Sequence, residues 1–113
     1  MHRKHWISIV VFTLCAITAR ADEWIRINQL GYLPESKKVA VFLSEEYTNV
    51  KEFSLIDLFT GKTVYTFTSI QPTGELGSMK STFRLDFSNF NHPGTYYLKA
   101  GNTRSPYFPI NNQ

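Results

Sequence analysis

Between residues 24 and 110 the sequence returns again and again to a short alternation of apolar and polar residues, and Gly, Pro, Asn or Asp soon ends each run. A period of two places successive side chains on opposite faces of a strand, whereas a helix needs apolar residues at i, i+3, i+4 and i+7. Trp24–Leu30 sets Ile25 and Ile27 against Arg26 and Asn28. Lys38–Leu43 is a dense β-branched run suited to a central strand, and Phe53–Leu58 follows it. Thr63–Thr68 interleaves Val, Tyr and Phe with threonine, and Thr82–Phe87 sets Phe83, Leu85 and Phe87 against Arg84 and Asp86. Thr95–Ala100 and Tyr107–Ile110 complete the set, with Pro109 confining the last to a sheet edge. Gly31–Pro34, Phe59–Lys62 and Asn91–Gly94 read as turns, and Gln71–Lys80, with one Pro and two Gly, as a loop. About seven short strands without a sustained helical period predict an all-β fold, an antiparallel β-sandwich. A parallel βαβ sheet would need helical crossovers that this pattern lacks.

Phe90, Gly94 and Tyr96 sharpen this to an immunoglobulin-like sandwich. A tyrosine just inside a strand, after a corner, can bury its ring and return its hydroxyl to upstream backbone. Alternation then turns Tyr96, Leu98 and Ala100 inward and Tyr97 and Lys99 outward.

The first 21 residues stand apart. Arg3 and Lys4 precede an uncharged run, Trp6–Ala19, and Ala19-Arg20-Ala21 closes it with small residues two apart. This is the pattern of a secretory signal peptide over 1–21, cut near Ala21. A spanning helix would need about 20 apolar residues. Cys15 follows Leu14 rather than a small residue, so it reads as one more apolar member of the run. Cleavage predicts a secreted or periplasmic product, residues 22–113, with no membrane attachment. It also removes three of the twelve basic residues, leaving nine against nine acidic ones. The basic excess therefore belongs to the leader, and the electrostatic case for nucleic-acid binding goes with it. The only cysteine goes too, so the folded part must hold without disulfides.

No catalytic, cofactor-binding or metal residue is assigned. Paired carboxyl groups across a cleft would suit glycoside hydrolysis, but the acids scatter. Asp22 and Glu23 lie at the mature terminus, Glu45 and Glu46 in a loop, and Glu75 in a Gly-rich loop. Asp57 is placed to accept N–H groups of the Thr60-Gly61 turn, and Asp86 faces outward near Arg84. His92 is the one histidine after the leader, so neither a zinc set nor a Ser-His-Asp triad has its parts. Gly74 and Gly77 precede no helix that could cradle phosphate. The aromatic residues, 15% of the chain, exceed what so small a core requires. Tyr47, Tyr65, Tyr97 and Tyr107 are expected outside, where rings can stack on sugar or seal a protein contact.

Three segments together resemble a known module. Asn28, Gln29, Gly31, Tyr32, Pro34, Lys38 and Val39 match the opening of the immunoglobulin-like domain that precedes the catalytic domain in many family-nine glycoside hydrolases, the cellulase and endoglucanase group. Phe53–Tyr65 is similar to that family's Asp-x-x-Thr-Gly-Lys hairpin, and Phe83–Ile110 to its Pro-Gly-x-Tyr corner and closing strand. The resemblance implies that the parent protein is an endoglucanase-type glycoside hydrolase, active in polysaccharide breakdown. It places that family's catalytic and metal-binding residues in a downstream α/α barrel, matched by no residue here. The implied role is accessory: packing on the barrel and stabilising it. A free-standing carbohydrate-binding or protein-interaction module is the alternative. The accessory role predicts an exposed apolar patch, and the sugar-binding role two or three coplanar exposed rings on one face.

Overall fold

The computed structural model describes residues 22–112, so the expected leader lies outside the described residues. Nine strands form: β1 (Glu23–Arg26), β2 (Val39–Ser44), β3 (Phe53–Asp57), β4 (Thr63–Phe67), β5 (Ile70–Pro72), β6 (Ser81–Asp86), β7 (Gly94–Ala100), β8 (Thr103–Arg104) and β9 (Phe108–Ile110). One sheet runs β1-β2-β6-β5; in the other, β4-β3-β7 continues into β8 and β9, both on the far side of β7. Every strand pair is antiparallel. This ladder order is that of an immunoglobulin-like sandwich.

The alternation read in the sequence becomes the two inner faces. Ile25, Phe42, Phe83 and Leu85 from one sheet meet Phe53, Leu55, Tyr96, Leu98, Phe108 and Ile110 from the other. Phe87 contacts the rings of Tyr32, Phe67 and Phe108 at centroid distances of 5.1, 6.5 and 5.6 Å. Glu23 ties the sheets at one edge: its carboxylate accepts from Ser44 Oγ in β2 and from Thr103 Oγ1 in β8.

Several expectations need correction. The count is nine strands rather than seven, because β5 and β8 were not foreseen. Gln71 and Pro72, expected in a loop, pair with Arg84 and Phe83. Pro72 lacks an N–H, but β5 is the outermost strand of its sheet, where proline is tolerated. The rest of that loop carries a small bridge, with Leu76 and Met79 exchanging both backbone bonds. The first strand ends at Arg26, not Leu30. Beyond it Asn28 Oδ1 accepts from Leu30 N, and a backbone bond from Gly31 N to Asn28 O turns the chain.

Candidate functional site

The Asn28–Tyr32 segment, singled out by its sequence, builds structure. Tyr32 is half-buried, and its hydroxyl accepts from Asn28 N at 2.9 Å and donates to Val39 O at 3.0 Å. Its ring meets Phe87 and Phe108 edge-on. Burial pushes the Tyr32 phenol above its ordinary range, against the pull of the Asn28 N–H. Gly31 sits at φ 101°, and a Cβ there would fall 2.5 Å from Pro109 O. Tyr32 N donates to Pro109 O, and Asn111 N to Tyr32 O, so this loop clasps β9.

Tyr96 forms the corner expected of it. Its hydroxyl lies 3.1 Å from His92 O and 3.3 Å from Pro93 O, and its ring meets Phe90 at 5.2 Å and 87°. A Cβ on Gly94 would lie 2.7 Å from that hydroxyl, so the corner needs glycine for room. Burial also raises the Tyr96 phenol, with Asp57 adding to the effect.

Lys38, one of the residues of the opening motif, has a role that the sequence did not reveal. Its side chain is fully buried, and Nζ donates to Pro34 O (2.6 Å), Ser36 O (2.8 Å) and Ser88 O (3.2 Å). Desolvation lowers its basicity, while Glu35 and Asp86 work the other way. The cation is a brace, joining the 34–36 loop to the β6–β7 connection.

Several of the acids are structurally engaged. Asp57 Oδ1 accepts from Phe59 N (2.8 Å) and Thr60 N (3.0 Å), the turn role expected of it. Asp86 Oδ1 accepts from Ser88 N. Glu75 lies against the Tyr47 hydroxyl, with Lys80 over the same ring. Among the described residues, no three of His, Cys, Asp and Glu gather as a metal site.

What remains for function is surface. Of the four tyrosines expected outside, Tyr47, Tyr65 and Tyr107 are exposed. Tyr97 is half-buried, with the Arg104 guanidinium 4.1 Å over its ring. These rings sit on separate elements, and among the described residues no two exposed rings stack on each other. The prominent apolar feature is at one end of the β4-β3-β7-β9 sheet. Leu58 N bonds Thr95 O, Thr95 pairs with Pro109, and Pro109 abuts Gly31. Around this row stand Leu30 (93% exposed), Phe59 (81%) and Leu33 (51%), beside the place where residues 111–112 leave β9.

Comparison with known proteins finds a family model, the cellulase N-terminal Ig-like domain, matching residues 20–105. A xyloglucan-specific endo-β-1,4-glucanase of Bacteroides ovatus is 40% identical over 79 residues, which is 70% of this chain and 13% of that protein. Among solved structures, a Bacteroides ovatus GH9 protein superposes with TM-score 0.65 at 35% identity, covering 78% of this chain and 15% of that one. A metagenome-derived glycoside hydrolase family 9 endoglucanase gives 0.64 at 27%, covering 79% and 18%. The chain thus spans less than a fifth of each of these relatives.

Proposed function

This chain belongs to the cellulase N-terminal Ig-like domain family, and on that premise we propose that it is a non-catalytic module that packs on, and stabilises, the catalytic domain of an exported glycoside hydrolase. The observation that carries the reading is the apolar end formed by Leu30, Leu33 and Phe59. Three large apolar side chains exposed at one end of the sandwich are unfavourable in water, and covering them by a second domain recovers roughly 25 cal/mol for each Å² buried. Residues 111–112 emerge within this patch, so a domain joined there meets it directly. The length of the relatives beyond the matched region supports such a neighbour.

Export is part of the proposal and rests on residues 1–21 of the sequence. N-terminal sequencing of the exported product should begin at Asp22; an intact Met1 on that product contradicts it.

The docking reading is tested in a chimera. Residues 22–112 replace the N-terminal domain of the Bacteroides ovatus endoglucanase, and thermal unfolding of the catalytic domain is followed. The chimera should melt close to the parent. Leu30→Asp with Phe59→Asp should lower that transition by several degrees and leave the melting of the isolated module unchanged. Identical melting of the mutated and unmutated chimeras overturns the reading.

A further inference from the structure

The edge strand β4 and the β6–β7 connection enclose an open groove of about 310 Å³, lined by Val64, Tyr65, Phe67, Asn89, Phe90, Asn91 and His92. Its walls are rings and carboxamides. Tyr65 is 55% exposed, and Phe67 backs it at 4.5 Å, itself stacked on Phe53 at 5.1 Å and 16°. The tyrosine is therefore a braced platform, set at the rim of the core. Across the groove Phe90 is held edge-on between Tyr96 and His92. The exposed amide of Asn91 makes only a long 3.4 Å bond to Glu35, and Asn89 is exposed beside it.

We propose that this groove is a binding subsite for a neutral oligosaccharide, held by one exposed ring and a polar rim rather than by the coplanar exposed rings that a flat sugar-binding face would need. A sugar ring presents an apolar C–H face and a rim of hydroxyls. Tyr65 and Phe90 suit the face, and Asn89, Asn91 and the His92 imidazole suit the rim. Charge selects the ligand class. No Lys, Arg, Asp or Glu lines the groove, so a charged ligand would lose its hydration without a counter-charge. The larger groove beside β1, of about 450 Å³, presents Glu23, Arg26 and Arg104 instead and lacks that match. The 89–92 wall stands at the same end of the sandwich as Leu30, Leu33 and Phe59, since Gly94 pairs with Ile110. A chain held there would lie beside whatever covers that end.

Cellohexaose titrated into the isotope-labelled chain, followed by amide NMR, tests this without any catalytic domain. The experiment is therefore independent of the docking reading. Weak binding, with Kd on the order of 1 mM, should shift the amides of residues 64–67 and 89–92. Tyr65→Ala and, separately, Asn89→Ala should each weaken it at least about fivefold, while Tyr107→Ala leaves it unchanged. Both substituted positions are exposed, so the variants should fold. The proposal is overturned by no shifts at about 10 mM sugar, by shifts confined to other surfaces, or by full binding in Tyr65→Ala.

Discussion

At the scale of single residues, the buried Lys38 and Tyr96 and the half-buried Tyr32 brace this fold, and each satisfies backbone groups rather than a charged partner. Lys38 serves three carbonyls from two segments. Replacing it with methionine keeps the aliphatic stem and orphans those carbonyls, so chemical denaturation should show a loss of at least about 1–3 kcal/mol. Tyr96→Phe releases the His92 and Pro93 carbonyls and should cost about 1 kcal/mol, whereas an unchanged midpoint would deny the corner its role. The pH response is expected in the alkaline range. Tyr32 and Tyr96 are both raised above 10.0 in the fold, first by burial, so the unfolded chain ionises them earlier. Their stabilisation is complete below about pH 10 and is lost as pH climbs beyond it. Lys38 has the opposite sign there, because its folded basicity is lowered. Phenolate absorbance therefore reads the tyrosines directly: Tyr32→Phe and Tyr96→Phe should each remove one late-ionising group. The roles of Asp57 and Tyr96 were legible because short-range turn geometry fixes them. That of Lys38 was not, since its partners are backbone carbonyls, one of them fifty positions away, and no side-chain pattern marks those.

At the scale of elements, strong alternation located seven segments, and the weak points were the edges. β5 and β8 have three and two residues, too short for a period to show. Pairing with β6 and β7 makes them strands, so tertiary context decided what local preference left open. The end of β1 was misjudged because Asn28 continues the alternation in sequence, while its side chain caps a turn in space. The motif around Gly31 could be recognised by resemblance, but its physical reason needed the structure. At φ 101° and against Pro109, Gly31→Ala combines an unfavourable backbone with a backbone clash. It should cost about 1–3 kcal/mol or more and raise amide exchange in β9 above that of β6. Equal exchange in the two strands would contradict the clasp.

At the scale of the whole molecule, two sheets share one aromatic core, and one end of the sandwich keeps Leu30, Leu33 and Phe59 exposed. Phe108 is fully buried between Tyr32 and Phe87, and Phe108→Ala should cost about 3–5 kcal/mol. That is a large part of the 5–15 kcal/mol typical of a domain, so the variant should be largely unfolded near 37 °C by circular dichroism. The same economy of core explains the exposed end. The side chains of Leu30 and Phe59 stand largely outside the sandwich and that of Leu33 about half outside it, as the proposed cover by a second domain requires. An exposed apolar patch was expected from the family resemblance, but its place was not legible, because it joins residues from a loop, a turn and the rim of β9 that only the sheet order brings together. Amide hydrogen exchange, comparing the isolated chain with the chimera, tests the docking claim most directly. Protection gained in the chimera at residues 29–33, 58–61 and 109–112 is the predicted result. Protection confined to the outer face of the β1-β2-β6-β5 sheet, or none at all, would contradict it.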